Sequence, residues 1–499
     1  MENAAQAALR AIEDWLDEFE EPEVVIFCGL GNNGGDGLAL ARLLLADREI
    51  GLTVLLAGSP DELSGDARVQ YDILFKLLHP LEIHSFENRK EIYEKIKRYP
   101  DIVVDALLGT GSHGELHGAI KDAVEYINGL GADGGAHVIA IDIPTGLDAD
   151  KGIFNIVSRF SDAAVRAGRT VTMAAPKIGF YQGDAKAFTG EITVAKLGAS
   201  MTVEFSDNKE AAHLVEEDDI SPPHINDTAS KITRGRILAV CGSRGMTGAA
   251  IMSGMAALKS GCGMVTVAVP ASERPIVAQA MPELLTVGLS EQEDGSPSLD
   301  AWEELQEYIE RVDTVLIGCG LRPLPGTSEL IRKIITEVDK PMVIDAGGLG
   351  ALVGYLDILK SRKAATILTP HVGEIARLVD RPWQEVERGR LAVARSLAGK
   401  YDVVVVMKGA PTYTVWSETT FINSTGNAGL ATAGTGDVLS GILATMLVQN
   451  PNTSSWTAME AVYLHGLAGD LAAKEKTMHG MTAMDVIAML PAAFKHLER

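Results

Sequence analysis

Apolar runs alternate with helix-like stretches through the first two hundred residues of this chain. Seven runs have the length and the Val, Ile, Leu and Thr content of buried strands: EVVIFC, LTVLLAG, LEIHSF, DIVVDALLG, HVIAIDIP, TVTMAAP and EITVAKLG. The segments between them carry apolar residues at helical spacing. Strands that alternate with helices form a mostly parallel sheet with helices on both faces. The pattern predicts a Rossmann-like three-layer α/β domain over residues 1–205.

The alternation stops in a polar, acidic stretch that contains a Pro-Pro pair, and we interpret residues 206–235 as a linker. Six further strand-like runs follow: RILAVCGS, MVTVAVP, DTVLIGCG, MVIDAGG, ATILTPH and DVVVVMKG. Long helical segments close the chain after Gly436. The pattern therefore predicts a second, larger α/β domain over residues 236–499.

The charge balance narrows the range of partners. The chain has 67 acidic and 44 basic residues, a formal net charge of -23 that repels polyanions, so we expect neither nucleic acid nor an anionic membrane as a partner. Its four cysteines lack metal or redox spacing and are typical of reduced thiols. The first twenty residues resemble an acidic amphipathic helix rather than a signal peptide. We expect a cytoplasmic protein.

A glycine-rich turn, CGLGNNGGDG, follows the first strand-like run and opens a helix. Gly29, Gly31 and Gly34 fit the dinucleotide fingerprint, but the second run does not end in the acid that would hold a ribose, and no Walker lysine is present. Asp36 in this turn is explained either by the helix dipole or by a functional role. The turn alone does not separate these two explanations.

Two further predicted strands end in a carboxylate. Asp105 follows one apolar run, and Asp142 follows the next, with Thr145 three residues later. In an open parallel sheet the carboxyl ends of the strands line one ligand crevice, so we expect these side chains to gather with the glycine turn. Oxygen donors of this kind suit a cation or a polyhydroxyl ligand. Lys177, in APKIGF, either approaches a cofactor phosphate or is exposed to solvent, and the sequence favours neither alternative.

These motifs resemble the YjeF N-terminal domain, the NAD(P)H-hydrate epimerase, from Met1 to about Ser200. The resemblance implies a potassium ion held by Asn33, Asp105 and Thr145. It also implies that the hydrated cofactor, NADHX or NADPHX, is bound by Asn32, Asn33, Gly34, Gly35, Asp36, Gly109, Thr110, Gly111, Ser112, His113, Gly114, Glu115 and Asp142. We assign general acid/base catalysis to Asp142, because proton transfer at the hydroxyl needs a positioned titratable group.

A second glycine turn, TAGTGD, lies in the second half. Its amides and the following helix dipole favour an anion such as a phosphoryl group. Asp437 either stabilises the helix start or accepts a proton from an attacking hydroxyl. Lys408, after a buried strand, offers a cation to phosphates, and His371 lies at another predicted strand end.

Together with GSRGMTGAAIMSGMAALKSGCG, these motifs resemble the ribokinase-like fold and, within it, the ADP- or ATP-dependent (S)-NAD(P)H-hydrate dehydratase, from about Arg236 onward. The resemblance implies that the hydrate contacts Ala250, Gly320, His371 and Asp437. It assigns the nucleotide to Lys408, Gly409, Ala410, Pro411, Thr412 and Gly436. Asp437 would be the catalytic base, and Mg²⁺ is expected to bridge the phosphates.

The two resemblances together imply repair of hydrated NADH and NADPH. The first half would interconvert the R and S hydrates, and the second would dehydrate the S form, with ADP favoured over ATP. Two alternatives stay open. One is a kinase of the hydroxymethylpyrimidine or hydroxyethylthiazole type with an N-terminal cofactor-sensing or interaction module, and the other is a first half that only binds. We also expect a homo-oligomer.

Overall fold

The computed structural model of the chain describes residues 1–47, 49–77, 82–133, 135–153, 163–198, 211–450 and 454–498. The chain divides into two compact units, Met1–Asp207 and Asn208–Arg499. Each unit is built around its own largely parallel sheet. The predicted α/β fold class is confirmed in both halves.

The first unit contains a seven-stranded sheet in the order β3-β2-β1-β4-β5-β6-β7, and every neighbouring pair is parallel. Its strands are β1 (Glu23–Cys28), β2 (Gly51–Leu56), β3 (Glu82–Ser85), β4 (Ile102–Ala106), β5 (His137–Ile141), β6 (Arg169–Met173) and β7 (Glu191–Ala195). All seven coincide with the runs that the sequence singles out. The strand order reverses between β1 and β4, which is where ligands bind in Rossmann sheets.

Helices cover both faces of this sheet. They are α1 (Glu2–Arg10), α2 (Glu13–Leu16), α3 (Asn32–Asp47), α4 (Gly65–Lys76), α5 (Arg89–Lys95), α6 (Gly118–Asp133) and α7 (Lys186–Thr189). Alternate residues of β1 enter different cores: Ile26 packs with Leu40 of α3, and Val25 packs with Ile127 of α6. A strand that is buried on both faces explains the continuous apolar runs.

The second unit contains a ten-stranded sheet in the order β11-β10-β9-β12-β13-β14-β15-β16-β17-β8. Its strands are β8 (His213–Val215), β9 (Arg236–Val240), β10 (Met264–Pro270), β11 (Leu285–Leu289), β12 (Thr314–Ile317), β13 (Met342–Ile344), β14 (Thr366–Leu368), β15 (Val404–Met407), β16 (Tyr413–Trp416) and β17 (Thr419–Asn423). Strands β9 to β15 are parallel, whereas β16 and β17 form an antiparallel hairpin. The order reverses between β9 and β12.

The stretch expected to be a linker, residues 206–235, contributes to this second sheet. Residues 206–210 lie outside the described part of the chain. Of the remainder, His213–Val215 forms β8, which pairs in parallel with β17. The structured second unit therefore starts ahead of Arg236.

The helices of the second unit pack on both faces of its sheet. They are α8 (Thr247–Lys259), α9 (Arg274–Ala280), α10 (Ala301–Arg311), α11 (Pro325–Glu337), α12 (Gly347–Ala351), α13 (Val372–Leu378), α14 (Trp383–Arg388), α15 (Arg390–Tyr401), α16 (Thr435–Gln449), α17 (Ser454–Gly480) and α18 (Ala483–Leu497). Buried residues of α8, α16, α17 and α18 share one core cluster with the central strands. Within the described residues, no helix combines the length and the apolarity that crossing a bilayer requires.

Candidate active sites

The first glycine turn brings α3 unusually close to the sheet. A Cβ atom on Gly34 would lie only 1.8 Å from the carbonyl oxygen of Gly29, so no larger residue fits there. Asn32 is exposed at the start of the helix, whereas Asn33 and Asp36 are buried, as are Gly34 and Gly35. The close packing turns two polar side chains of the first helical turn into the interior.

Asn33, Asp105 and Thr145 come together around the backbone of Leu108. The Asn33 amide donates to the Leu108 carbonyl at 3.0 Å, and the Leu108 N–H donates to Thr145 Oγ1 at 3.1 Å. Thr145 in turn donates to Asp105 from its backbone N–H (2.8 Å) and from its hydroxyl (2.7 Å). Oδ1 of Asn33 is buried and accepts no hydrogen bond from the residues described. The sequence correctly predicts that these three side chains meet.

Two carboxylates in this crevice are desolvated. Asp105 is fully buried, and its burial raises its pKa to about 6 against the opposing effect of the Thr145 and Leu107 hydrogen bonds. Burial also raises the pKa of Asp36 to about 6. The ammonium group of Met1, 3.6 Å away, opposes that shift, and the charge of Asp142 reinforces it. A cation beside Asp105 would relieve the cost of its buried charge.

Asp142 has a lysine partner that the sequence does not reveal. Its Oδ1 lies 3.1 Å from Nζ of Lys177, and only 15% of the Asp142 side chain is exposed. Lys177 therefore faces a carboxylate rather than solvent. Asp142 also adopts a left-handed backbone conformation, with φ at 65°, which is rare for a residue with a side chain.

The loop expected to contact the hydrate borders a shallow surface hollow. Gly109, Ser112, His113 and Gly114 line it together with residues of the turn that follows β5. Nδ1 of His113 lies 3.6 Å from a carboxylate oxygen of Asp148 in that turn. Three other residues of the loop, Thr110, Gly111 and Glu115, are exposed and, like His113 and Gly114, accessible to a ligand.

In the second unit, Lys408 follows β15 and forms the centre of a polar cluster. Its Nζ lies 2.8 Å from Oδ1 of Asp345 and 3.8 Å from Oε2 of Glu374. A Cβ atom on Gly436 would lie 3.5 Å from the same Nζ. The lysine and the second glycine turn, which are separate motifs in the sequence, thus meet in the structure.

Asp345 is a site residue that the sequence analysis missed. It follows β13 and is 2% exposed, and it accepts hydrogen bonds from the Ser440 hydroxyl and the Ala346 N–H, both at 2.8 Å. Burial alone would raise its pKa, but the charge and hydrogen bond of Lys408 hold that pKa below its usual value. The signal was available, because Asp105 and Asp142 mark strand ends in the same way.

Asp437 lies in the first turn of α16, after the left-handed Gly434 with φ at 93°. Burial raises the pKa of Asp437 to about 6, and the negative charge of Asp345 adds to the shift. A hydrogen bond from Cys319 and the charge of Lys408 act in the opposite direction. Ligand atoms of Cys319, Asp345 and Asp437 lie within 4.8 Å of one another, a grouping that could hold a metal ion.

The expected nucleotide loop rests on a buried arginine. Arg390 donates from one guanidinium nitrogen to the carbonyls of Lys408 (3.2 Å) and Pro411 (3.0 Å). A Cβ atom on Gly409 would lie 1.9 Å from that nitrogen, so glycine is needed there. Ala410 is exposed, and Pro411 and Thr412 are half-buried. No sequence spacing connects Arg390 with this loop.

The residues expected to contact the hydrate in the second unit lie at the same sheet edge but differ in access. His371 is 54% exposed and caps α13. Its backbone pairs with the backbone of Lys408, at the end of the neighbouring strand, as an isolated parallel β-bridge. Gly320 is half-buried with φ at 68°. Ala250 is fully buried beside Gly242, so its methyl group does not reach the surface of the cleft.

Both halves match known families. A family model described as YjeF-related protein N-terminus matches residues 1–179, and one described as NAD(P)H-hydrate dehydratase matches residues 237–492. The bifunctional NAD(P)H-hydrate repair enzyme Nnr of Moorella thermoacetica is 36% identical, over 100% of this chain and 92% of that protein. The enzyme of the same name from Thermofilum pendens is 34% identical over the same shares.

Solved structures match the second half. A ribokinase-like superfamily protein from Enterococcus faecalis, 26% identical, has a TM-score of 0.50 and covers 57% of this chain and 96% of its own. An ADP/ATP-dependent NAD(P)H-hydrate dehydratase from Bacillus subtilis, co-crystallised with ATP and Mg²⁺, is also 26% identical, with a TM-score of 0.49 over 57% of this chain and 99% of its own. The first of these matches agrees with the predicted ribokinase-like fold of the second unit.

Proposed function

This chain belongs to the family of bifunctional NAD(P)H-hydrate repair enzymes, and on that premise we propose how its two units divide the repair. The first unit epimerises the R and S hydrates of NADH and NADPH, and the second unit dehydrates the S hydrate at the expense of a nucleotide. The observation that carries this division is that each unit has its own cluster of strand-end carboxylates with a partly buried lysine.

Potassium is the proposed ion of the epimerase site. The fit rests on Asn33 Oδ1, a buried acceptor without a partner among the described residues, beside the desolvated Asp105 and the Thr145 hydroxyl. Hard oxygen donors of this type suit an alkali or alkaline-earth cation. When bound, the ion would supply a fixed positive charge that neutralises Asp105 and stiffens the loop after β4.

Asp142 is the proposed acid/base of epimerisation. Inverting the carbon that bears the hydroxyl requires a proton to leave one oxygen position and return at another. Asp142 lies at the end of β5, and its Oδ2 lies close to Gly109 at the start of the loop that borders the hollow. Asn32 to Asp36 and the residues from Gly109 to Glu115 would hold the ring and ribose around this carboxylate.

In the second unit, Lys408, Gly409 to Thr412 and the amide of Gly436 would bind the nucleotide phosphates. The N-terminus of α16 attracts anions, and the Lys408 ammonium adds a full positive charge. The nearby groups that could contact a metal ion are Cys319, Asp345 and Asp437. They do not surround an ion with oxygen ligands alone, and the charge of Asp345 is already neutralised by Lys408. We therefore propose that Mg²⁺ would be bound mainly by phosphate oxygens of the nucleotide and by water, with few ligands from the protein.

Asp437 is the proposed base of dehydration. It accepts the hydroxyl proton of the S hydrate while the hydroxyl oxygen forms a bond to the terminal phosphorus of the nucleotide, and the shortened nucleotide leaves. Phosphate then departs from carbon with its bonding electrons, and the neighbouring carbon releases a proton to solvent water, which restores the dihydropyridine. His371 and the backbone of Gly320 would orient the hydrate for this step.

The test is a direct assay. Full-length protein is incubated with racemic NADHX or NADPHX and with ADP or ATP, and the return of dihydropyridine absorbance is followed. We propose ADP as the preferred donor, so conversion should be faster with ADP than with ATP. When potassium is withheld, conversion should slow to the rate of spontaneous epimerisation once half of the hydrate is consumed. A stable phosphorylated product without recovery of absorbance would identify a small-molecule kinase instead.

We further propose a cytoplasmic enzyme with small-molecule partners alone. All four cysteines are free and buried, as expected in a reducing compartment. The net charge of -23 disfavours nucleic acid and anionic membranes. Homo-oligomerisation stays a prediction, which a sedimentation measurement would test.

A further inference from the structure

The two carboxylate oxygens of Asp142 have different surroundings. Oδ1 lies 3.1 Å from the Lys177 ammonium and accepts a hydrogen bond from the Met173 N–H at 3.2 Å. Oδ2 accepts no hydrogen bond from any part of the chain that the structure describes. A Cβ atom on Gly109 would lie 3.5 Å from Oδ2, so this oxygen points to the loop that borders the hollow.

Lys177 is itself held in place. Its Nζ donates to the carbonyls of Met173 (2.8 Å) and Ala175 (3.1 Å), and only 17% of the side chain is exposed. Two of the three ammonium protons are directed at these carbonyls, and Oδ1 of Asp142 lies beside the same nitrogen as an ion-pair partner. The two carbonyls therefore fix the Lys177 ammonium beside one carboxylate oxygen of Asp142.

The backbone of Asp142 indicates that this arrangement is imposed on it. A left-handed conformation at a residue with a side chain costs about 1–2 kcal/mol, and it persists only where surrounding contacts fix it. The backbone hydrogen bond from the Asp142 N–H to the Val171 carbonyl (2.8 Å) and the contacts of Lys177 and Met173 to Oδ1 supply that constraint. Because β5 and β6 are parallel neighbours, Lys177 reaches Asp142 from the turn after β6.

We propose that Lys177 is a positioning residue of the epimerase, which fixes Oδ1 of Asp142 and thereby presents Oδ2 to the hydroxyl of the hydrate. The proposal rests on the assignment of Asp142 as the acid/base. Oδ2 takes the hydroxyl proton as the carbonyl forms and the carbon–nitrogen bond breaks, and it passes that proton to the ring nitrogen. After rotation of the aldehyde, the nitrogen returns the proton to Oδ2 and attacks the opposite face, and the oxygen recovers the proton. No proton or electron is gained or lost overall.

The experiment compares the full-length variants Lys177→Met, Lys177→Arg and Asp142→Asn, and the double variant Lys177→Met/Asp142→Asn, on R-NADHX. Lys186→Met, which removes an exposed lysine of α7, is the matched control. We expect Lys177→Met to lower kcat for epimerisation by on the order of 10²-fold, the effect of misplacing a reacting group, with KM unchanged. Lys177→Arg should recover at least about tenfold of that loss, because it keeps the charge.

The double variant distinguishes an effect of Lys177 on the position of Asp142 from a general loss of structure in the first unit. If Lys177 acts through Asp142, adding Lys177→Met to Asp142→Asn lowers kcat no further, whereas a structural effect adds. Dehydration of S-NADHX should be unchanged in every variant. Additive losses, a rise in KM that matches the fall in kcat, or wild-type kcat in Lys177→Met would overturn the proposal. Wild-type epimerisation in Asp142→Asn would instead remove the acid/base assignment, whatever the lysine variants do.

Discussion

Each unit of this chain has a partly buried lysine paired with an aspartate at a strand end, but the two aspartates have different proposed roles. In the first unit, Lys177 holds Asp142, the carboxylate that we assign to proton transfer. In the second unit, Lys408 holds Asp345, and the proposed base Asp437 is left without a lysine of its own. Lys177 is thus paired with the proposed reacting carboxylate and can orient it, whereas Lys408 is paired with a different carboxylate, which orients the lysine toward the substrate.

The difference also appears in the charges. Lys408 is fixed by Asp345 so that its ammonium lies beside the turn at Gly436, where a phosphoryl group would bind. The first unit has no lysine at the corresponding oxygen cluster of the described residues, and Asp105 keeps a pKa raised to about 6 by burial. Under the proposed potassium assignment, one fold class provides a built-in cation in one unit and a site for an external cation in the other.

The largest expected effect comes from Asp437→Asn. The amide keeps the size of the side chain but cannot accept the hydroxyl proton, so dehydration of S-NADHX should fall by on the order of 10²- to 10⁴-fold. Epimerisation of R-NADHX, followed by separating the two hydrates, should keep its wild-type rate. Dehydration that persists near the wild-type rate would remove Asp437 from the mechanism.

Asp345→Asn should destabilise the second unit. The substitution removes the nearer counter-charge of the Lys408 ammonium and leaves Glu374 3.8 Å away, so we expect a loss of up to about 3–5 kcal/mol. Ser440→Ala is the matched control, because it removes one hydrogen bond to Asp345 and should cost only about 1–3 kcal/mol. Urea unfolding read by tryptophan fluorescence measures both, since four of the five tryptophans lie after residue 208. Equal losses in the two variants would contradict the importance of the ion pair.

Asp105→Asn tests the external cation. The amide keeps the size of the side chain but removes the charge that a cation neutralises and one of the two oxygens that accept hydrogen bonds. We therefore expect the potassium concentration for half-maximal epimerisation to rise by roughly 10- to 100-fold. A titration with potassium chloride at constant ionic strength measures this. Nucleotide-dependent dehydration of S-NADHX is the internal control, and a parallel loss of that activity would point to misfolding.

The smallest effect is a pH dependence. Asp437 accepts a proton only when it is ionised, and its pKa is raised to about 6 by burial and by Asp345. Dehydration should therefore fall about tenfold for each pH unit below about 6 and level off above it. The kcat for S-NADHX, measured with saturating nucleotide, gives the profile. A rate that stays constant down to about pH 5 would show that no group of this kind controls the step.

The sequence predicts the parallel core of both units but not the edge of the second sheet. Strands β9, β10 and β12 to β15 are apolar runs that only a buried strand explains. Strand β11 lies at the edge of the sheet, and most of its residues are half-exposed, so its apolar pattern is weak. The β16–β17 hairpin turns at Ser417 and Glu418, where the sequence has no glycine pair to mark a turn. Strand β8 has three residues and depends on pairing with β17, so no local pattern indicates it.

The sites are predictable to the extent that their residues mark strand ends. Asp105, Asp142 and Thr145 gather because parallel strands bring their carboxyl ends to one edge, and the same rule applies to Asp345. Lys177 and Arg390 do not lie at the strand ends that the sequence marks. Lys177 meets Asp142 through the neighbouring strand, and Arg390 supports the loop after β15 from a helix. Such partners depend on tertiary packing and leave no spacing in the sequence.

Mixing two inactivated enzymes tests the division of labour most directly. Asp142→Asn should lack epimerisation and keep dehydration, and Asp437→Asn should have the opposite defect. Given R-NADHX and ADP, Asp142→Asn alone should regenerate NADH only at the rate of spontaneous epimerisation, and Asp437→Asn alone should stop at an R/S mixture. The two together should restore NADH completely. A mixture that regenerates NADH no faster than Asp142→Asn alone would contradict two independent sites acting in sequence.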